Sequence, residues 1–226
     1  MLPLRDNVPT RSRPLVTYGL ILTNVLVWVL YQLPDLQGSV DELAYHPCEI
    51  ENSCPTVGQD WAPTALTSMF MHGSWAHLLG NMLFLWIFGN NVEDALGRIR
   101  FLVFYLLGGF AATALQTFIT LSYAGELEGT IPNVGASGAI SAVLGAYLVL
   151  LPRAKVLTLI VFVLREIPAA FFLLFWFGFQ LLDGGASLLH PEQGGGIAFF
   201  AHIGGFVFGA LAVKPLQQRR PLAPTH

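Results

Sequence analysis

Long apolar runs separated by short polar segments dominate the chain. A helix needs about 20 apolar residues to cross the ~30 Å hydrocarbon core of a bilayer. Six runs approach or reach this length: 15–33, 69–91, 99–122, 135–151, 167–183 and 197–213. The fourth and sixth runs are short, so we expect their ends to lie below the membrane surface. The pattern predicts an all-α membrane protein with six transmembrane helices, which places both termini on one side.

The composition supports this interpretation. Apolar residues make up 54% of the chain and charged residues 11%, whereas a soluble domain carries about 25% charged residues. The first apolar run is long enough to remain as a span, so we expect no cleaved signal peptide. The predicted partner is the lipid bilayer, and we expect no nucleic-acid partner.

The charged residues predict the orientation. In the six-span topology all eleven Lys and Arg residues fall on one side: Arg5, Arg11, Arg13, Arg98, Arg100, Arg153, Lys155, Arg165, Lys214, Arg219 and Arg220. Cationic loops mark the cytoplasmic side of a membrane protein. We therefore expect a multi-pass protein of a bacterial-type inner (plasma) membrane, with both termini cytoplasmic.

This topology divides the chain into three parts. Residues 1–14 form a cytoplasmic N-terminal segment, 15–213 form one six-span domain with an external loop over 34–63, and 214–226 form a cytoplasmic tail. The external loop holds Cys48 and Cys54, which can close a disulfide in an oxidising compartment or remain as free thiols. Short interfacial helices are expected around Trp61.

Two further segments have open interpretations. Residues 156–166 are apolar but end in charge, and we interpret them as a cytoplasmic interfacial hairpin. The alternative is one long tilted span over 156–183, which would bury Arg165 and Glu166 at high cost. The loop 184–196 is rich in glycine and is expected to be mobile, although glycine spacers without a function would look the same.

Polar residues inside the spans are the candidates for function, because such residues are costly in a membrane. They are His77, Asn81, Ser137, Ser141, Gln180 and His202. A helix rises 1.5 Å per residue. Ser137 and His77 each lie roughly 21 Å, and His202 roughly 17 Å, from the predicted cytoplasmic ends of their spans. The three side chains should therefore occupy one layer below the external surface.

Rows of small residues predict which spans touch. Ser137, Ser141 and Gly145 recur every four residues on the fourth span, and Gly205 and Gly209 do so on the sixth. Such rows allow membrane helices to pack backbone to backbone. The candidate serine and histidine each extend one of these rows, so packing the rows together would bring them close.

This combination of residues suits acyl transfer. Ser137 is a candidate nucleophile and His202 a candidate base, because a serine hydroxyl needs a base to take its proton. His77, Asn81 and the Ser137 backbone N–H are candidate donors to an oxyanion. The usual orienting carboxylate is missing, and Asp183 is the one acid near the external end of a span. We therefore expect a Ser–His dyad that needs no cofactor.

Structural interpretations remain open for each residue taken singly. A serine or histidine in a membrane helix is often only a packing contact, and we interpret Gln180 as structural. The stretch "HGSWAH" lacks the i, i+4 histidine spacing and the glutamate of a zinc-binding HExxH motif, so no metal is expected.

Three stretches together resemble the rhomboid family of intramembrane serine proteases: "HGSWAHLLGNMLFLWIFGNNVEDALG", "GASGAISAVLGAY" and "AHIGGFVFG". The resemblance covers 15–213 and implies a six-helix rhomboid bundle. It implies that Ser137 is the nucleophile, His202 the base, and His77 with Asn81 part of the oxyanion site. Gly135 and Gly138 complete the GxSG motif. The implied substrates are single-span membrane proteins, cut where their helix unwinds easily, with the fifth span and the 184–196 loop as gate and cap.

The sequence departs from the family pattern in two places. Many rhomboids carry an aromatic residue one turn after the nucleophile, stacked on the histidine, where this chain has Ser141. Many also carry a Trp-Arg pair in the first loop, but Trp61 is followed here by Ala62. The first departure leaves the orientation of His202 less well determined.

Two other functions are possible in principle. A rhomboid-like protein without catalysis would bind membrane clients and escort them, and loss of the serine or histidine would mark it, but both are present. A small transporter or channel would carry paired ionisable residues or interrupted helices at the midplane, which the sequence lacks. We therefore predict a serine endopeptidase that hydrolyses peptide bonds of transmembrane proteins.

Overall fold

The computed structural model describes residues 1–54, 60–124, 126–189 and 198–225. Within these ranges the chain is mostly helical. The helices are α1 (Leu15–Leu26, continued as a π-helix over Val27–Gln32), α2 (Leu36–Leu43), α3 (Trp61–Thr67), α4 (Trp75–Leu96), α5 (Arg98–Ile119, continued as a π-helix over Thr120–Ala124), α6 (Glu126–Gly129), α7 (Ser137–Leu150), α8 (Ala169–Leu189) and α9 (Phe199–Leu216). Short 3₁₀ helices cover Pro47–Glu51 and Ser68–Phe70.

The protein is an integral membrane protein built as a helical bundle, as the apolar pattern predicts. Four of the described helical stretches are long and apolar enough to cross a bilayer: Leu15–Gln32, Arg98–Tyr123, Ala169–Ser187 and Phe199–Leu216. The helix α7 is apolar but shorter. The helix α4 has 22 residues but carries polar and charged residues in its last turns. The two helices that fall short are therefore the second and fourth predicted spans.

Two helix boundaries differ from the predicted ones. The helix α4 begins at Trp75 instead of residue 69, because the Ser74 side chain accepts a hydrogen bond from the His77 backbone N–H and caps the helix. It continues to Leu96 and ends at Gly97, which has a φ of 75°. The helix α8 extends to Leu189, past the predicted end at residue 183. The first residues of the glycine-rich 184–196 loop are therefore helical, and its remainder lies outside the described residues.

The helix α7 lies at the centre of the bundle, with its ten residues from Gly138 to Tyr147 all buried. It packs most extensively against α9. A Cβ atom added to Gly205 would overlap the Gly138 carbonyl oxygen, and one added to Gly209 would overlap the Ala142 carbonyl oxygen. The two helices therefore touch backbone to backbone along their rows of small residues.

A three-stranded antiparallel sheet adds to the helices on the side that the charge pattern assigns to the cytoplasm. Its strands are β1 (Leu2–Asp6), β2 (Lys155–Ile160) and β3 (Val163–Pro168), in the order β1-β2-β3. Strands β2 and β3 form the predicted hairpin, with Val156 opposite Ile167. Because β3 ends where α8 begins, one long span over 156–183 is excluded. The strand β1 was not predicted, since its pairing partner lies about 150 residues away in sequence.

The loop predicted to be external contains a disulfide and short helices, one of which lies at the expected position around Trp61. The helix α2 lies within this loop, and α3 begins at Trp61 near the end of the loop. Cys48 and Cys54 are bonded to each other, with their Cα atoms 5.1 Å apart. The backbone of Tyr45 pairs with that of Asn133, which ties this loop to the segment that leads into α7.

Candidate active site

The side chains of Ser137 and His202 meet where α7 and α9 begin. Ser137 is the first residue of α7 and His202 the fourth residue of α9. The close packing of these helices leaves the Ser137 Oγ 2.9 Å from the His202 Nε2. A hydroxyl at this distance can donate its proton to the imidazole.

The second nitrogen of the same imidazole also has a partner. The His202 Nδ1 lies 2.7 Å from the Gln180 Oε1 of α8. The sequence pattern indicated only a structural role for Gln180, although a polar side chain inside the apolar run of α8 is a signal that singles it out. Asp183, the one acid considered as an orienting group, has an exposed side chain instead.

An aromatic ring from α8 borders the imidazole. The ring centroids of Trp176 and His202 are 6.0 Å apart, with an angle of 40° between the ring planes. At the position where many rhomboids carry an aromatic residue, Ser141 donates its hydroxyl proton to the Ser137 carbonyl oxygen at 2.7 Å. The aromatic neighbour of His202 therefore comes from α8 and not from α7.

Gly135 brings the segment before α7 against His77. It has a φ of 127°, in the region that favours glycine. A Cβ atom at this position would lie 2.8 Å from the His77 Nε2 and 3.5 Å from the Ser137 Oγ. The backbone N–H of Gly135 donates to the Ser68 carbonyl oxygen at 2.8 Å. The absence of a side chain here lets His77 and Ser137 approach the same space.

The hydrogen bonding of His77 indicates which of its nitrogens is a donor. The Gly73 backbone N–H points at the His77 Nδ1 in a long contact of 3.4 Å. A nitrogen that accepts carries no proton, so in the neutral ring the proton sits on Nε2. The Nε2–H group therefore faces the space next to Ser137.

Asn81 supplies a second donor one helical turn further along α4. The residue is 9% exposed, and its Nδ2 is buried without a hydrogen-bond partner among the described residues. Buried amide groups are normally paired, so an unpaired donor here suits a transient acceptor. His77, Asn81, Ser137, Trp176 and His202 line one cavity of about 270 Å³.

The arrangement contains the components of an acyl-transfer site. A hydroxyl is hydrogen-bonded to an imidazole, and the donors His77 Nε2–H and Asn81 Nδ2–H share its cavity. The Ser137 backbone N–H lies in the first turn of α7, where backbone N–H groups have no partner within the helix. Such donors stabilise the negative charge that develops on a carbonyl oxygen under nucleophilic attack.

The comparisons with known proteins all identify proteins of one family. The sequence model of the Rhomboid domain matches residues 59–219. The chain is 29% identical over 212 residues to "Rhomboid protein 1, mitochondrial" of Saccharomyces cerevisiae, covering 91% of this chain and 56% of that protein. It is 31% identical over 199 residues to "Presenilin-associated rhomboid-like protein, mitochondrial" of Homo sapiens, covering 84% of this chain and 45% of the other.

A bacterial protein is also similar over a shorter stretch. The chain is 33% identical over 137 residues to "Rhomboid protease GluP" of Bacillus subtilis, covering 61% of this chain and 25% of that protein. The chain thus spans about half the length, or less, of these relatives. They include proteins of mitochondria and of a bacterium, so they do not favour the bacterial inner membrane expected from the charge pattern over a mitochondrial one.

Proposed function

Because this chain belongs to the rhomboid family, we propose that it is an intramembrane serine endopeptidase that hydrolyses peptide bonds of transmembrane proteins. The observation that carries the proposal is the 2.9 Å hydrogen bond between the Ser137 hydroxyl and His202. The donors His77 Nε2–H and Asn81 Nδ2–H line the same cavity and provide the second requirement of acyl transfer, a place for an oxyanion. The nucleophile, the base and the oxyanion donors of the proposed reaction are all side-chain or backbone groups of this chain.

The proposed reaction starts with attack by the Ser137 Oγ on the carbonyl carbon of the scissile bond. The Oγ–H proton passes to the His202 Nε2. The carbonyl oxygen becomes an oxyanion and accepts hydrogen bonds from His77, Asn81 and the Ser137 backbone N–H. When the tetrahedral intermediate collapses, His202 returns the proton to the leaving amine and an acyl-enzyme forms.

Water completes the cycle. The His202 Nε2 takes a proton from a water molecule, which attacks the acyl carbon and forms a second tetrahedral intermediate at the same oxyanion donors. The proton then returns to the Ser137 Oγ as the C–O bond to the serine breaks, and the carboxylic acid product leaves and loses its proton to solvent. The same imidazole thus serves as base and acid in both halves of the reaction.

The proposed substrates are single-span membrane proteins whose helix unwinds easily near the cavity. We further propose that residues 15–213 form the protease domain and that 1–14 and 214–226 are cytoplasmic. The cationic segments on the sheet side support this orientation.

A cleavage assay in proteoliposomes tests the proposal. Wild type, Ser137→Ala and His202→Ala are compared on a panel of single-span proteins with glycine-containing spans. We expect cleavage by wild type and a loss of at least ~10³-fold in both variants. Ser39→Ala is a matched control because its hydroxyl donates to the Leu36 carbonyl within α2, away from the residues that line the cavity, and its activity should equal that of wild type.

A fluorophosphonate probe gives a second measurement that needs no substrate. It should label wild type at Ser137 and leave His202→Ala and Ser137→Ala unlabelled. Wild type that binds membrane clients but neither cleaves them nor reacts with the probe would instead support a client-binding protein without catalysis. Equal cleavage by Ser137→Ala would exclude the proposed nucleophile.

A further inference from the structure

We propose that Gln180 is a positioning residue that holds His202 in the protonation form and orientation required of a base. This inference rests on the proposed function, since it assigns a role relative to the Ser137–His202 pair. It goes beyond that function by assigning a residue that orients the histidine, a role that a carboxylate usually fills and for which the sequence offers no suitable acid. The orienting group is a neutral amide on α8, a helix that provides neither the nucleophile nor the base.

The hydrogen-bonding capacity of the amide oxygen dictates the role. The Gln180 Oε1 lies 2.7 Å from the His202 Nδ1, and a carbonyl oxygen can only accept. The Nδ1 must therefore carry a proton. In a neutral imidazole the other nitrogen, Nε2, is then unprotonated and free to accept the Ser137 hydroxyl proton at 2.9 Å. The opposite tautomer would place an N–H against the hydroxyl and could not act as a base.

The contact also sets the direction of the ring. Gln180 and Trp176 are four residues apart on α8 and so lie on one helix face. Trp176 borders the imidazole at a centroid distance of 6.0 Å, and Gln180 holds the ring at its far nitrogen. Rotation of the ring would break both hydrogen bonds at once. The aromatic stacking that Ser141 cannot supply from α7 is thus replaced by two contacts from α8.

An amide suits this location better than a carboxylate does. A charged group inside a membrane span is costly, whereas a glutamine provides the same acceptor without charge. Of the titratable side chains near the ring, His77 of α4 lies across the cavity and Asp183 of α8 is exposed. The helix α7 presents hydroxyls to the site, and α5 presents Gln116, which accepts from the Ala201 backbone N–H at 3.2 Å.

Two substitutions of similar size distinguish the role of Gln180 as a hydrogen-bond acceptor from its role in packing. Gln180→Met keeps the length of the side chain but removes the acceptor, and Gln180→Glu keeps an acceptor oxygen and adds a charge. We expect Gln180→Met to lower kcat roughly 10- to 100-fold, less than loss of the base itself, with KM within about threefold of wild type. Gln180→Glu should recover most of this loss, and the acid limb of its rate profile should lie at higher pH because a carboxylate stabilises the protonated imidazole.

A spectroscopic measurement keeps the inference testable without any activity. The protein is labelled with ¹⁵N-histidine, and the His202 signals are assigned by comparison with His202→Ala. Wild type should show the Nδ1–H tautomer, and Gln180→Met a mixture or the Nε2–H tautomer. Gln32→Met is the matched control, because Gln32 is a buried glutamine that bonds the backbone of His72 and should change thermal stability without changing the His202 tautomer.

The outcomes separate this inference from the proposed function. If wild type cleaves and Gln180→Met retains kcat and the tautomer, Gln180 is only a packing contact and the inference is wrong. If wild type shows no cleavage or probe labelling, the proposed function fails, while the tautomer comparison still decides whether Gln180 controls the ring. An unchanged tautomer in Gln180→Met overturns the inference in either case.

Discussion

Two buried polar groups at opposite ends of the bundle, Glu93 and Asn81, differ in how they are paired. At the sheet end, Glu93 accepts three hydrogen bonds, from the backbone N–H groups of Val16 and Thr17 and from the Thr17 hydroxyl. At the other end, Asn81 has a buried amide nitrogen without a partner among the described residues. Full pairing stabilises a fold, and an unpaired donor beside a cavity is free for a ligand. Glu93 therefore serves to maintain the bundle, whereas the Asn81 amide nitrogen is open to a ligand in the proposed active site.

The sheet end links segments that are far apart in sequence. The Asp6 carboxylate of β1 accepts from the Tyr147 hydroxyl of α7 at 2.6 Å and from the Asn91 amide of α4 at 2.7 Å. Arg11 forms an ion pair with Asp94 of α4 at 2.8 Å. These contacts join the N-terminal segment to α4 and α7 at the end of the bundle opposite Ser137. They hold in place the two helices that present His77, Asn81 and Ser137.

The largest effect on stability is expected from Glu93→Ala. Glu93 is 3% exposed, and its carboxylate pairs with N–H groups in the first turn of α1, which have no partner within that helix. Its removal leaves these donors buried and unpaired, at a cost of about 3 kcal/mol. Thermal unfolding in detergent measures the loss, and the folded fraction should cleave at the wild-type rate.

The control for this substitution is Glu166→Gln. Glu166 pairs with Lys155 across the exposed face of the hairpin, with both side chains more than half exposed. Its loss should change stability by less than about 0.5 kcal/mol. If Glu93→Ala were as stable as Glu166→Gln, the buried hydrogen bonds of Glu93 would not stabilise the fold, and its contrast with Asn81 would not hold.

Asn81→Ala should have the opposite signature. It removes a proposed oxyanion donor, so kcat should fall roughly 10- to 100-fold. Stability should be unchanged or slightly higher, because the substitution removes a buried amide nitrogen that has no partner among the described residues. Asn90→Ala, in the last turns of the same helix, serves as a control and should cleave normally. A large loss of stability with an unchanged kcat would show that Asn81 belongs to the framework instead.

The smallest effect is a pH dependence at Asp6. Burial raises the pKa of this carboxyl above its ordinary value, with the hydrogen bonds from Tyr147 and Asn91 acting in the opposite direction. Because the folded state holds the proton more tightly than the unfolded state, wild type loses stability as the pH rises through the range between the two pKa values. Asp6→Asn lacks this dependence.

The measurement for Asp6 is the difference in unfolding temperature between wild type and Asp6→Asn from pH 4 to pH 7. The wild-type value should fall relative to the variant, by an amount equivalent to less than about 1 kcal/mol. A difference that is constant with pH, or that grows in the other direction, contradicts the raised pKa.

Much of the candidate site was accessible from sequence because its residues recur at helical spacing. His77 and Asn81 lie one turn apart on α4, and the rows of small residues on α7 and α9 indicated that these helices touch. Gln180 was not assigned to the site because its partner depends on where α8 begins and how it rotates against α9. The spacing of residues within α8 gives neither the start of this helix nor its rotation against α9.

The sequence by itself determined the membrane location, the helical class and the residues worth testing. These follow from local properties: the length of apolar runs, the side on which cations fall, and the rarity of polar groups within spans. Tertiary structure decided that β1 joins the hairpin, that α8 supplies Trp176 and Gln180 to His202, and that the Asn81 Nδ2 has no hydrogen-bond partner within the described part of the chain. These features depend on contacts between segments far apart in the chain. A hydrogen bond depends on the positions of both partners, and a pattern within one segment does not give the position of a partner in another.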